Sequence, residues 1–112
     1  MLAVAGGPSA PPANVTVTGD PTVAWLAIYM GAITESRRAV NREILRRVPD
    51  PRAFFTVWRG DEAISTALGV VDRGHVIAEC VATKESARGQ RGAEAAMRAL
   101  MAWGVSLGAH TV

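Results

Sequence analysis

A basic segment with two glycines occupies residues 81–93, which read VATKESARGQRGA. It begins with apolar residues typical of a strand and ends in small residues typical of a helix, so it predicts a strand, a loop and a helix in that order. Glycines allow backbone N–H groups to approach an anion closely, and a helix N-terminus presents free N–H donors with a partial positive charge. Because Arg88 and Arg91 add charge, the segment suits a pyrophosphate.

Two better-known phosphate-binding patterns do not match this segment. A Walker loop ends in Gly-Lys-Ser/Thr, which is absent here, and a dinucleotide fingerprint needs three glycines where only Gly89 and Gly92 are present. A plain basic loop that caps a helix is the alternative that the residues leave open.

The residues before this segment predict a strand and two helices. Alternating polar and β-branched residues over 14–18 predict the strand. Asp20 as N-cap and Pro21 as the first helical residue predict a helix that ends at Gly31. The second helix is expected to begin near Thr34.

The second helix is rich in arginine. Its expected apolar stripe is Ala39, Val40, Ile44 and Val48, and its arginines are Arg37, Arg38, Arg42, Arg46 and Arg47. Because Glu35 and Glu43 lie among them, the arginines are interpreted as a solvated face. Binding of nucleic acid or of an acidic partner is the alternative.

A meander and a third helix complete the pattern. The strands are predicted over residues 53–59, 63–71 and 75–82, and the short turns between them favour antiparallel pairing. The third helix is predicted from Gly92 to Leu107, and residues 110–112 are expected to open another strand. The predicted apolar stripe of that helix is Ala93, Ala96, Met97, Leu100, Gly104 and Leu107.

Composition narrows the class of protein. The 112 residues are 49% hydrophobic and 20% charged with a formal net charge of +2, which is ordinary for one soluble globular domain. The single cysteine, Cys80, excludes an internal disulfide and favours a cytoplasmic location. Residues 1–13 are rich in glycine and proline and are expected to form a flexible leader before a domain over 14–112. We see no apolar run long enough to span a bilayer, so no membrane association is expected.

The basic segment resembles the coenzyme A loop of the GNAT superfamily of acyl-CoA N-acyltransferases, where Arg/Gln-x-x-Gly-x-Gly/Ala follows the fourth strand. Arg88 and Ala93 match the two ends of that motif. Arg91 stands where the family usually has its first motif glycine, and Gly92 is expected to supply the same backbone freedom one residue later. The order of elements over residues 14–112 also resembles the family order.

The resemblance implies a fold, an activity and a set of binding residues. The expected fold is α/β (α+β), with a mixed, mainly antiparallel sheet flanked by helices and incomplete at its C-terminus. The implied activity is transfer of an acetyl group from acetyl-CoA to a small-molecule or peptide amine. The pantetheine arm and thioester would lie along Val81, Ala82 and Thr83. The pyrophosphate would be held by Arg88, Gly89, Gln90, Arg91, Gly92 and Ala93.

Acyl transfer to an amine needs a base for the amine proton and an acid for the leaving thiolate. Side chains alternate along a strand, so His75, Ile77, Glu79 and Val81 are expected to share one face of the third meander strand. Glu79 and His75 are the candidate bases, and the alternatives are a solvated or paired Glu79 and a turn-flanking His75.

Two further residues bear on the chemistry. The usual acid of the family is a tyrosine after its fifth strand, whereas the one tyrosine here, Tyr29, lies in the first predicted helix. Cys80 is expected on the face opposite Glu79, as a small core residue among Val76, Ala78 and Ala82. No group of His, Cys and carboxylate residues has metal-ligand spacing, so no metal is predicted.

The leading hypothesis is therefore an acyl-CoA-dependent N-acetyltransferase domain whose truncation impairs catalysis. The alternative is a non-catalytic remnant that binds coenzyme A or dimerises through an open sheet edge. Nucleic-acid binding through the arginine helix is the least favoured function.

Overall fold

An antiparallel sheet with the strand order β1-β2-β3-β4 forms the centre of the computed structural model, which describes residues 14–89 and 91–109. The strands are β1 (Asn14–Thr18), β2 (Arg52–Arg59), β3 (Glu62–Asp72) and β4 (His75–Thr83). The helices are α1 (Val23–Ala32), α2 (Glu35–Arg46) and α3 (Gly92–Ser106), and a 3₁₀ turn spans Glu85–Ala87. The strands predicted from the sequence are confirmed to within one residue at each end.

Two tight turns produce the meander. Gly60 connects β2 to β3 with φ 63°, and Arg73 and Gly74 connect β3 to β4 with φ 53° and 81°. Turns with positive φ match the right-handed twist of paired strands, so each strand folds back on its neighbour. The pairing runs from Arg52 opposite Val70 to Asp72 opposite His75.

The sheet separates two apolar layers. On one face, α1 and α2 cover Phe54 and Leu68, with Trp25 fully buried between helix and sheet. On the other face, α3 covers Phe55 and Val57. Consecutive residues of β2 therefore enter opposite layers, as the alternation of a strand requires.

Helix α3 packs closely on the sheet, because a glycine leaves out the side chain at each of three contact points. A Cβ on Gly92 would collide with the Ser65 hydroxyl. A Cβ on Gly104 would lie 2.9 Å from the Cβ of Val76. On the sheet side, a Cβ on Gly69 would lie 3.0 Å from both Leu100 and Trp103. Contacts under about 3 Å force neighbouring atoms to move, so larger residues at these positions are disfavoured.

The prediction that α1 begins with Asp20 as its N-cap is wrong. The N-cap is Thr22, whose hydroxyl accepts a hydrogen bond from the Trp25 N–H at 3.1 Å. The Asp20 carboxylate instead lies 2.7 Å from the Arg52 guanidinium. The ion pair removes Asp20 from capping, and Thr22 supplies the same kind of oxygen two residues later.

The predicted apolar stripe of α2 is wrong for Ala39, Val40 and Ile44, which are exposed, whereas Val48 packs on the core as predicted. The start of the helix after Thr34 is confirmed. Val40 and Ile44 are 61% and 53% exposed, whereas Leu45 is buried. The inner side of α2 is held largely by polar contacts. Arg38 Nε donates to the Met30 carbonyl at 2.8 Å, and Asn41 accepts from the Tyr29 hydroxyl at 2.9 Å.

The prediction for α3 is confirmed in its main part. Ala96, Leu100 and Gly104 are buried, and Gly108 follows the helix with φ 92°. Leu107 lies outside the helix as its C-cap and is exposed. The leader over 1–13 and the strand expected over 110–112 lie outside the described residues. Among the residues that the structure describes, no helix is long and apolar enough to cross a membrane.

The close approach of α3 predicts opposite effects for two helical glycines. Gly104→Ala should lower the free energy of unfolding by about 1–3 kcal/mol, since its Cβ would meet Val76. Gly31→Ala is the matched control, because nothing lies within 4 Å of its added Cβ and alanine favours helix by up to about 1 kcal/mol. Urea unfolding followed by circular dichroism measures both. Equal effects of the two substitutions would show that α3 does not depend on this contact.

Candidate functional site

A β-bulge interrupts β4 at Cys80. Thr66 lies opposite Ala82, whereas Leu68 lies opposite Glu79, so Cys80 and Val81 together face the single residue between Thr66 and Leu68 on β3. Cys80 has φ 55°, a left-handed conformation that is uncommon for a residue other than glycine. The Thr66 hydroxyl donates to the Cys80 carbonyl at 3.0 Å and so holds the bulge in place.

The bulge overturns the expected arrangement of faces on β4. Cys80 packs against the layer that contains Trp25 and Leu68, and Leu68 is the partner of Glu79 across the ladder. Cys80 and Glu79 therefore lie on the same face of the sheet, under α1 and α2, and the prediction that they lie on opposite faces is wrong. The extra residue breaks the two-residue alternation, which the prediction carried straight through to Val81.

The Tyr29 hydroxyl reaches this face of the bulge from α1. It donates to Asn41 Oδ1 at 2.9 Å and lies near the Cys80 thiol. Its ring lies 5.2 Å from that of Trp25, which is itself anchored by a 3.1 Å hydrogen bond from its indole N–H to the Ala67 carbonyl. Helix α1 thus fixes a hydroxyl beside the bulge.

Burial dominates the acid–base properties of these two groups. It raises the pKa of the Tyr29 phenol to about 12; the nearby Cys80 and Glu79 add to the rise, and Arg37 opposes it. Burial also raises the pKa of the Cys80 thiol, and the nearby Tyr29 hydroxyl opposes this rise. At neutral pH both groups are therefore protonated, and Tyr29 acts as a hydrogen-bond donor.

The structure does not bring the two candidate bases together. His75 begins β4 beside the turn, four residues before Glu79, which corresponds to about 13 Å along a strand. Glu79 lies near Tyr29 and Cys80, close enough to act on both electrostatically. Of the two candidate bases that the sequence suggested, only Glu79 belongs to the group of side chains at the bulge.

The loop between β4 and α3 forms the second part of the site. Gly89 has φ 87°, and Arg91, the N-cap of α3, has φ 61° and ψ 28°. After these turns, the N-terminus of α3 borders a cavity of about 280 Å³. The cavity is lined by Thr83, Arg88, Gly89, Arg91, Gly92 and Ala93. All of these residues were predicted from the sequence to bind the cofactor, whereas Gln90 lies outside the described residues.

The expectation for Arg91 and Gly92 is wrong in one detail. Arg91 itself adopts the left-handed conformation, at a cost of roughly 1–2 kcal/mol for a residue with a Cβ. Gly92 is the first helical residue, and it is small because it packs on Ser65. The backbone freedom that the sequence analysis assigned to Gly92 is thus found at Arg91.

A larger cavity of about 670 Å³ adjoins the first and shares Thr83 and Arg88 with it. Its walls are small residues of α1, the β2–β3 turn and the start of the loop after β4. The side chains that line it include Ala24, Ala27, Ile28, Trp58, Asp61, Glu62, Lys84 and Glu85. Its volume is typical of a site for a small molecule.

The residues of the smaller cavity fit a pyrophosphate. The first N–H groups of a helix have no partner within the helix and can bind an anion. The exposed residues Arg88 and Arg91 line the same cavity as the start of α3 and add positive charge. Within the described ranges 14–89 and 91–109, no group of three or more His, Cys, Asp or Glu residues could hold a metal ion.

Sequence reasoning missed the residues that α1 and α2 contribute. The sequence places Trp25 and Tyr29 four residues apart in the first predicted helix, and this spacing is the one signal that they share a face. Nothing in the sequence indicated that Asn41 would meet Tyr29, because that contact depends on how α2 docks.

Comparisons with known proteins agree with this geometry. The model of the acetyltransferase (GNAT) family matches residues 21–112. A Klebsiella pneumoniae protein described as an acyl-CoA N-acyltransferase has a TM-score of 0.69 and 18% identity, over 88% of this chain and 67% of that chain. AAC(6')-Iy in complex with the bisubstrate analog CoA-S-monomethyl-acetylneamine has a TM-score of 0.67 and 17% identity, over 90% of this chain and 77% of that chain.

A third similar structure is glucosamine-6-phosphate N-acetyltransferase from Arabidopsis thaliana, with a TM-score of 0.63 and 13% identity. That alignment covers 88% of this chain and 80% of that chain. No curated protein matches the chain in sequence. At these identities the structures establish the shared fold.

The environment of Tyr29 predicts an unusual titration. Because Tyr29 is the one tyrosine of the chain, its phenolate absorbance near 295 nm reports this residue alone. The midpoint should be about 12 in the folded chain and about 10 in urea. The folded pKa is raised, so the contribution of protonated Tyr29 to stability is complete below pH 10 and is lost as the pH rises towards 12.

Tyr29→Phe is the control, since it should abolish the absorbance change. A midpoint near 10 in a chain whose circular dichroism is still that of the folded state would contradict the partly buried position of the hydroxyl.

Proposed function

The chain belongs to the GNAT acetyltransferase family, and from this premise we propose that it transfers an acetyl group from acetyl-CoA to an amine. The observation that carries the proposal is the junction of β4 and α3, where open backbone N–H groups and two arginines surround one cavity. Bound acetyl-CoA would supply the activated acyl group as a thioester. The side chains described above would bind it and handle the amine proton.

The pyrophosphate of coenzyme A would lie at the N-terminus of α3. Arg88 and Arg91 are exposed beside that terminus, and neither makes an ion pair within the described part of the chain. The positive end of the helix and both guanidinium groups would act on the same anion. Gly89, with its positive φ, would let the backbone follow the phosphates closely.

The pantetheine arm would lie along Val81, Ala82 and Thr83 of β4. In the described sheet β4 has a neighbour on one side only, so its other edge presents unpaired N–H and C=O groups. The two amides of a pantetheine arm can pair with such an edge as an added strand does. The bulge at Cys80 would end this pairing and turn the thioester towards the face covered by α1 and α2.

Glu79 would accept the proton of the attacking amine. It lies on that same face, one residue before the bulge, and its side chain is exposed. His75 is the second candidate, but it lies about 13 Å further along β4 and would need a water relay. The larger cavity beside α1 shares Thr83 and Arg88 with the phosphate site, so a molecule bound in it would lie next to the cofactor.

The alternative function is coenzyme A binding without turnover. It is favoured by one observation, that Tyr29 donates its hydroxyl to Asn41 and is a weak acid with a pKa of about 12. Proton donation to a thiolate by such a group is unfavourable, since a thiol has a pKa near 8.5. The leaving thiolate would then have to take its proton from water, which is a weak acid, so catalysis would be slow.

The open edge of β4 is also where a homodimer would form. Ile77 and Val81 are both more than 40% exposed on this strand, so two copies could pair along it. Pantetheine would compete for the same backbone groups. Sedimentation with and without coenzyme A would then show dissociation on binding.

The proposed function is tested by incubating the chain with acetyl-CoA and a panel of amines, and measuring both free thiol and the acetylated product by mass. Thiol release that needs an amine supports acetyl transfer. Binding of coenzyme A without any product supports the alternative. Tighter binding of ATP or NAD than of coenzyme A in calorimetry would contradict both.

Charge reversal at the loop gives a sharper prediction. Arg88→Glu should weaken coenzyme A binding at least about tenfold, because it replaces a cation beside the pyrophosphate by an anion. Arg42→Glu, on exposed α2, changes the net charge equally and should leave the affinity within about twofold. Calorimetry with coenzyme A measures both. Equal losses would mean that net charge, and not the loop, sets the affinity.

A further inference from the structure

Positive charge is concentrated on α2 and its C-terminal cap. Five arginines and two glutamates between Glu35 and Arg47 give this segment a formal charge of +3, whereas the whole chain carries +2. The rest of the chain is therefore slightly negative. A helix with this surplus, next to the proposed acceptor face, raises the local concentration of anions.

The five arginines have different surroundings. Arg38 donates to the Met30 carbonyl, and Arg46 and Arg47 both pair with Glu43. Arg37 and Arg42 are exposed and form no ion pair with any described residue. Since five residues correspond to roughly 140° around a helix, these two arginines point to different sides of α2.

Arg37 lies on the side of α2 that carries Asn41, four residues before it. The amide nitrogen of Asn41 donates to the Arg37 carbonyl at 2.8 Å, and its oxygen accepts from Tyr29 at 2.9 Å. Arg37 and Glu79 are both close enough to Tyr29 to act on its hydroxyl electrostatically. A cation and a carboxylate thus both lie near one phenol, which Asn41 holds in place.

The polar contacts hold the backbone of α2 at this point. Asn41 links the carbonyl of Arg37 to the hydroxyl of Tyr29, and Tyr29 stands on the buried ring of Trp25. The base of the Arg37 side chain is therefore fixed relative to β4, while its guanidinium group remains in solvent. An arginine whose backbone is held in place and whose guanidinium group is free suits a carboxylate or a phosphate.

We propose that the acceptor is a small amine that carries an anionic group, a carboxylate or a phosphate, and that Arg37 binds this group while Glu79 faces the amine. The inference rests on the proposed function and names the substrate class of the same site. The amine nitrogen attacks the thioester carbonyl carbon, the C–N bond forms, and the C–S bond breaks. The amine proton passes to Glu79, the leaving thiolate takes a proton from water, and Glu79 then gives its proton to the hydroxide so formed. The products are an amide and free thiol, and the enzyme is regenerated.

The test compares amines that differ only in charge. The pairs are β-alanine with β-alaninamide, and O-phosphoethanolamine with ethanolamine, assayed by thiol release at several pH values so that rates refer to the free amine. The anionic member of each pair should have a kcat/KM at least about tenfold higher, since charge-assisted hydrogen bonds are the strong ones. The preference should shrink as salt rises from 0.05 to about 0.5 M.

Substitutions in α2 test whether Arg37 causes the preference for anionic over neutral amines. Arg37→Gln should remove most of the preference by raising KM for the anionic amines, and should leave the neutral amines within about twofold. Arg42→Gln, on the other side of α2, is the matched control and should keep the preference. Arg37→Lys should retain part of it, because the charge remains while the planar fork is lost.

The outcomes distinguish the inference about the acceptor from the proposed acetyl transfer on which it rests. Acetylation of neutral and anionic amines at equal kcat/KM, or a preference unchanged by Arg37→Gln, would overturn the inference and leave acetyl transfer standing. Failure of every amine to release thiol would overturn both. If the preference follows phosphate but not carboxylate, the substrate class narrows to phosphorylated amines.

Discussion

The close approach of α3 to the sheet is the constraint on which the rest of the structure depends. Gly92 lies against Ser65 at one end of the helix, Gly104 lies against Val76 near the other, and Gly69 makes room under Leu100. Ser65 in turn hydrogen-bonds to Thr83 at the end of β4, with 3.0 Å between the hydroxyl oxygens. The N-terminus of α3 is therefore held at a fixed distance from the strand that the cofactor is proposed to follow.

The bulge at Cys80 gives β4 two different parts. Before it, Glu79 belongs to the face under α1 and α2; after it, the strand leads into the loop that surrounds the phosphate cavity. The left-handed conformation of Cys80 has a cost, and a partly buried hydrogen bond from Thr66 offsets part of it. Strain that is retained next to a polar cluster is common at functional sites.

How far the sequence predicts this arrangement depends on whether the cause is local. The three meander strands follow from β-branched runs and from Gly60 and Gly74, which act within a few residues. The phosphate loop is also a local pattern, so its residues were found, although the sequence placed the left-handed turn at Gly92 instead of Arg91. An arginine carries no signal that it will adopt a positive φ.

The features that the sequence did not predict depend on contacts between distant segments. No glycine in β4 indicates the bulge, so the sequence analysis let side chains alternate between the two faces of the sheet past Cys80. Thr22 replaced Asp20 as the cap of α1 because Arg52, 32 residues away, binds Asp20. The inner face of α2 follows polar contacts, such as that from Tyr29 to Asn41, and an apolar stripe could not indicate it.

The most direct test of the account is a titration of the ¹⁵N-labelled chain with coenzyme A, followed by amide chemical shifts. The largest changes should fall on Thr83, Gly89, Gly92 and Ala93, with smaller changes at Val81 beside the bulge. Pantetheine, which lacks the pyrophosphate, should shift Val81 and Thr83 and leave the amides at the start of α3 nearly unchanged. Changes centred on β1 or α2, or none at the N-terminus of α3, would contradict the proposed role of the loop.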